Sequence, residues 1–214
     1  MSALVKICGL SKMADVQAVN AAQAEYAGFV FFDKSPRNIC VQTAANLSAH
    51  LAEGTQSVAL LVNPSDDACQ ALLETFQPDL IQLHGSETPQ RVAAIKSLCR
   101  RPVIKALGIS SADDIDAASE YETVADMLLF DAKPPADAML PGGRGVAFDW
   151  SLLNGYKGGL PWMLSGGLTV GNVADAIAAT GTSAVDVSSG VETSPGVKAA
   201  EKISDFVSAA KGKA

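Results

Sequence analysis

Apolar residues along this chain fall into short β-branched runs that recur about every 24 residues, separated by stretches with helical spacing. The runs predict strands at 3–8, 27–32, 57–62, 79–84, 102–107, 126–131, 161–166 and 184–189. Between them, "SKMADVQAVNAAQA" places Met13, Val16 and Val19 on one face, with Ser11 as the expected N-cap. Ser65 stands in the same position before "DDACQALLETF", and Pro89 opens "PQRVAAIKSLC" where its missing N–H costs nothing. "SSADDIDAASEY", "TVGNVADAIAAT" and "VKAAEKISDFVSAAK" complete the helical series. Near-continuous apolar strands alternating with amphipathic helices predict a parallel sheet covered by helices. Eight such units without a second domain favour an α/β fold, a single (β/α)8 TIM barrel over residues 1–214, over an open doubly wound sheet.

One interval is longer than the rest. After the sixth strand, "AKPPADAMLPGGRGVAFDW" is rich in proline and glycine, which predicts a lid over the strand ends.

Period-two alternation sorts the polar strand residues by face. Lys6 and Cys8 share a face of the first strand, Gln82 and His84 of the fourth, and Asp186 and Ser188 of the eighth. Asp131 ends the face of Met127 and Leu129. These faces are the expected barrel interior, and their C-terminal ends are where barrels of this type build active sites. Buried polar groups need partners. First and eighth strands are neighbours in a closed barrel, so Lys6 and Asp186 are expected either to pair or to contact substrate.

Cys8 is either an inert buried thiol or a reactive one, and a nearby Lys6 ammonium would favour the thiolate. Asp131, where an apolar strand meets the long loop, is a candidate proton-transfer group. Arg37, on the loop after the second strand, is a surface charge or a bidentate carboxylate ligand. Gly166 and Gly167 follow the seventh strand, and Ser188, Ser189 and Gly190 follow the eighth. Bare N–H groups in those two turns are a phosphate site in many barrels. His84 is expected to be hydrogen-bonded and structural, and His50 to lie on a helix surface.

Composition narrows the partners. A net charge of −7 gives no basic face for nucleic acid. No apolar run approaches the roughly 20 residues of a membrane helix, and the N-terminus does not read as a secretory leader. Cys8, Cys40, Cys69 and Cys99 form no C-x-x-C pair or zinc pattern, so no metal and a cytoplasmic, reducing location are expected. No apolar surface patch can be read, and a monomer is expected.

"VKICGL", "GFVFFDKSPRNI", "IQLHGSE", "LLFDAKPP…PGGRGVAFDW", "LSGGLTVGNV" and "AVDVSSGVETSPGVK" resemble, in order, the segments of the phosphoribosylanthranilate isomerase family. The resemblance spans nearly the whole chain, with an "ADAM" insertion before "LPGGRG". It implies a TIM barrel that performs an Amadori rearrangement on a phosphorylated sugar–anthranilate in tryptophan biosynthesis, without a cofactor. By motif it makes Cys8 the general base, Asp131 the general acid and Arg37 the ligand of the anthranilate carboxylate, and gives the phosphate to the "SGG" and "SSG" turns. A sugar-phosphate barrel using two aspartates or a metal, a non-catalytic sensor on the same scaffold, and a thiol redox protein are the competing readings.

Overall fold

The computed structural model describes residues 2–133 and 148–212. Strands β1 (Leu4–Cys8), β2 (Tyr26–Phe31), β3 (Gln56–Leu61), β4 (Leu80–Leu83), β5 (Val103–Ile109), β6 (Met127–Ala132), β7 (Trp162–Leu164) and β8 (Ala184–Val187) form a closed barrel in sequence order. All neighbours are parallel, and β1 closes on β8 with Lys6 opposite Asp186. Each predicted strand is present within a few residues of its predicted bounds.

Alternation along the strands separates two apolar environments. Val5, Ile7, Phe29, Ile81, Leu83, Phe130 and Val185 point outward into the layer beneath the helices. Tyr26, Val58, Leu80, Ile104, Leu129 and Met163 fill the barrel interior. Towards the C-terminal mouth the interior is lined by Cys8, Val30 and Leu60.

The helices are α1 (Met13–Ala22), α2 (Val41–Ser48), α3 (Asp66–Thr75), α4 (Pro89–Cys99), α5 (Ala112–Asp116), α6 (Val173–Thr180) and α7 (Ala200–Ala210). Ser65 caps α3 through Ala68 N–H, and Pro89 opens α4 behind a Thr88 cap. Ser11 does not cap α1. The Asp15 carboxylate instead accepts the N–H groups of Ser11 and Lys12, which is the stronger, charge-assisted way to satisfy a helix start. Between β6 and β7 the described residues include a 3-10 turn at Trp150–Gly155. The predicted lid falls largely on residues 134–147, outside the described residues.

Two elements were not foreseen: α2, and an antiparallel hairpin between β8 and α7. The hairpin pairs β9 (Glu192–Ser194) with β10 (Val197–Lys198) and sets Lys198 opposite Glu192. Its tip, Gly196, has φ +82° and lies so close to Pro36 O that a Cβ would stand 2.6 Å away. The hairpin therefore rests on the β2–α2 loop that carries Arg37.

Candidate active site

Cys8 ends β1, faces the barrel interior and is 4% exposed. β2 makes room for it with Gly28, where a Cβ would sit 3.0 Å from Cys8 Sγ and 3.3 Å from Lys6 Nζ. One step below, Lys6 is fully buried and donates to Asp186 Oδ1 at 2.7 Å. Asp186 accepts a second bond on Oδ2 from Ser165 Oγ at 3.0 Å. Both Asp186 oxygens are thus engaged within the barrel floor, which realises the ion-pair alternative for Lys6 and Asp186.

Asp131 ends the interior face of β6 and is 5% exposed. Its Oδ1 accepts from Ala132 N–H at 2.8 Å, and its Oδ2 lies 3.3 Å from His84 Nε2. His84 Nδ1 is 3.0 Å from Gln82 Nε2. With that amide donating, the ring proton sits on Nε2 and points at the Asp131 carboxyl. Gly166, at φ +85°, abuts Asp131 Oδ1 and the Ala132 N–H, leaving no room for a side chain. A hydrogen-bonded run of Ser165, Asp186 and Lys6 crosses β7, β8 and β1, and Lys6 Nζ and Cys8 Sγ both lie over Gly28.

Lys6 favours the Cys8 thiolate as expected, but it does not decide the balance. Burial is the larger effect and pushes the thiol up. Lys6 and Lys198 pull it down, while the Asp186 carboxylate offsets part of that pull. Lys6 itself is raised: burial opposes its charge, but Asp186 and Cys8 together outweigh burial.

Arg37 is buried, not a surface charge. Its Nε and Nη2 grip Glu192 Oε1 and Oε2 at 2.7 and 2.8 Å in a fork geometry. Lys198 Nζ shares Glu192 Oε1 at 2.7 Å and also donates to Ser188 O at 3.0 Å and Ser188 Oγ at 3.2 Å. Ser188 Oγ in turn donates to Cys8 O at 3.0 Å.

The two glycine-bearing turns meet at this mouth. Gly166 and Gly167 both have positive φ after β7, and Ser189–Val191 forms a 3-10 turn after β8. Gly190 packs directly against the Leu168 carbonyl, so the two turns touch where any side chain would collide. Among the described residues no acceptor takes the N–H groups of Gly167, Ser189 and Gly190. Backbone amides left without an acceptor in such turns receive anionic oxygens well.

His84 is hydrogen-bonded as expected, but sequence reading missed its approach to Asp131 and the parts played by Glu192 and Lys198. Gln82 and His84 share a β4 face, but that Asp131 is their neighbour depends on strand positions far apart in the chain. Glu192 and Lys198 belong to the unforeseen hairpin. No cluster of His, Cys, Asp and Glu suited to a metal is found among the described residues.

A closed parallel barrel with acid–base groups and two amide-lined turns at its C-terminal mouth belongs to the TIM-barrel enzymes that act on phosphorylated small molecules. Residues 5–209 match the family model described as N-(5'phosphoribosyl)anthranilate (PRA) isomerase. The chain belongs to that family. It is 52% identical over 210 residues to the N-(5'-phosphoribosyl)anthranilate isomerase of Paracoccus denitrificans, covering 98% of each chain. It is 50% identical over 208 residues to that of Paramagnetospirillum magneticum, covering 97% of each. Among solved structures it resembles the phosphoribosyl anthranilate isomerase of Thermotoga maritima, with TM-score 0.86, 34% identity and coverage of 98% and 99%. Another isomerase of this name, in complex with reduced 1-(o-carboxyphenylamino)-1-deoxyribulose 5-phosphate, matches at TM-score 0.83 and 33% identity over 98% and 99% of the two chains. The reaction is the Amadori rearrangement of N-(5-phosphoribosyl)anthranilate to 1-(2-carboxyphenylamino)-1-deoxyribulose 5-phosphate, a step of tryptophan biosynthesis.

Proposed function

We propose that Asp131 is the general acid and Cys8 the general base of this rearrangement. The carrying observation is that both groups lie buried on the interior face at the C-terminal ends of strands on different sides of one barrel. A proton from the Asp131 carboxyl goes to the furanose ring oxygen, the C1′–O bond breaks, and the anilino nitrogen lone pair forms C1′=N⁺. The Cys8 thiolate then takes the C2′ proton, the C–H electrons form C1′=C2′, and the iminium becomes an enolamine. Loss of the enol proton and protonation at C1′ give the amino-ketose. Each positioned acid or base contributes roughly 10²–10⁴-fold.

Arg37 keeps its Nη1 edge for the anthranilate carboxylate, while Glu192 holds the rest of the guanidinium in place. The phosphate goes to the amides of Gly166, Gly167, Ser189 and Gly190, with Ser188 at the edge of the same turn. Asp186 acts through Lys6 rather than by touching substrate. Phosphate and carboxylate anchored at the two ends fix the sugar between acid and base, so remote binding energy is spent on orientation.

We also infer one domain over the whole chain, acting as a monomer in the cytoplasm. Large exposed hydrophobics among the described residues are confined to Leu4 and Val197, each 39% exposed, which gives little for a partner to cover. The four cysteines are all free thiols, as a reducing compartment requires. Among the described residues no helix is long and apolar enough to cross a membrane.

The test follows loss of fluorescence from freshly formed phosphoribosylanthranilate. Cys8→Ser and Asp131→Asn should each lower kcat by about 10²–10⁴-fold with KM within a few-fold of the parent. A kcat near the parent value in either variant removes that residue from its role.

A further inference from the structure

The buried ammonium of Lys198 has no part in the acid, base and binding roles proposed above, yet it lies within the hairpin that follows β8. It is drawn there by three acceptors from two elements: the carbonyl and hydroxyl of Ser188 after β8, and the Glu192 carboxylate across the hairpin. The Lys198 and Glu192 side chains are 1% and 3% exposed. Through Ser188 Oγ, which donates to Cys8 O, the ammonium is two hydrogen bonds from the backbone of the base.

The charges around Cys8 form two groups. One is Lys6 with Asp186, its ammonium beside the sulfur over Gly28, and the other is Lys198 with Glu192, itself forked by Arg37 and tied to Cys8 O through Ser188 Oγ. Other elements packed on the thiol offer no charge among the described residues: β2 presents Gly28 and Val30, and β3 presents Leu60. In so apolar a pocket the thiolate is costly, and nearby positive charge offsets part of that cost. Lys6 and Asp186 balance each other at 2.7 Å, whereas Lys198 and Arg37 share the single carboxylate of Glu192 and leave one positive charge over.

We propose that Lys198 is a positioning residue for the isomerisation: it fixes the β8 turn on the Cys8 backbone and supplies the second ammonium under which the Cys8 sulfur carries its negative charge. The proposal rests on Cys8 being the base, and it makes the β9–β10 hairpin part of the catalytic apparatus. Hydrogen bonding and charge are separable here. Glutamine at 198 keeps donors towards Ser188 and Glu192 without the charge, methionine removes both, and arginine keeps both.

The test reads the sulfur directly. In a Cys40→Ser background, which removes the one exposed thiol, the rate of Cys8 alkylation by iodoacetamide is measured against pH, alongside the pH profile of kcat/KM. In Lys198→Gln and Lys198→Met the alkylation midpoint and the acid limb of kcat/KM should both move up by about one pH unit, with kcat/KM at pH 7 lowered about tenfold. Lys198→Arg should stay within about threefold of the parent. A thermal melt identifies a variant that has lost its fold, and glutamine, which keeps the hydrogen bonds, stands in if methionine does so. An unmoved alkylation midpoint in folded Lys198→Gln overturns the proposal, as does an arginine variant no better than glutamine. If instead Cys8→Ser stays active, the base assignment falls, while the alkylation midpoints still decide whether Lys198 governs the sulfur.

Discussion

Lys6 and Asp186 meet at 2.7 Å inside the barrel, with Lys6 fully buried and Asp186 only 5% exposed. Two charges removed from water in this way gain little net stability as a pair, but either one alone is a heavy liability. Lys6→Met should therefore destabilise the protein by about 3–5 kcal/mol, because Asp186 keeps only the Ser165 hydroxyl as a partner. Adding Asp186→Leu should return much of that loss, since an apolar pair of similar volume suits the site. Urea midpoints measure both effects, and a Lys6→Met cost below about 1 kcal/mol would contradict the buried pairing. Activity should not return with stability in the double variant, because Cys8 would still lack the Lys6 ammonium. Pairing as one alternative for Lys6 and Asp186 was legible from strand alternation and ring closure alone. The Arg37–Glu192 fork was not, because nothing local to "KSPRN" reports a carboxylate 155 residues away.

The β9–β10 hairpin is the element on which the mouth depends most and the one least visible in the chain. Its two strands are three and two residues long, too short for an alternation pattern, and "VETSPGVK" reads as a helix approach. α2 was missed for a related reason: "VQTAANLS" carries only Ala44 and Leu47 as buried residues, a thin stripe. Strands were legible because each is buried on both faces and spells a continuous apolar run. The hairpin also has an acid-linked stability. Burial alone would raise the Glu192 carboxyl, but Arg37 and Lys198 outweigh it and hold it below the ordinary value of 4.5. A carboxyl depressed in the folded state adds stability that is complete above its unfolded value and is lost as pH falls through its folded one. Glu192→Gln should therefore be less stable than the parent at neutral pH, with the gap closing only below about pH 4.5. Denaturant titrations from pH 3 to 7 would show it, and a gap that is constant or widens towards acid would refute the assignment.

At the scale of the molecule, the barrel is a ring whose seam joins β1 to β8, and α7 covers that seam. Its buried face of Ile203, Phe206, Val207 and Ala210 packs on α1 and α6. Lys211 beyond it reaches Gln23 O and Glu25 Oε1, while Glu25 Oε2 accepts the Val5 N–H at the start of the ring. Helix α7 thus latches the first strand. Phe206 is fully buried at the centre of this latch. Phe206→Ala removes a large apolar side chain and leaves a cavity between helices, at a cost of about 3–5 kcal/mol. For a chain of this length each kcal/mol lowers Tm by about 2–4 °C, so a fall of about 6–20 °C is expected in a thermal melt. The site lies at the C-terminal ends of the strands and α7 lies in the helical layer. At 25 °C the surviving folded enzyme should therefore keep kcat within about threefold of the parent. A large drop in kcat with an unchanged Tm would mean that this helix acts on the mouth itself and not through the stability of the ring.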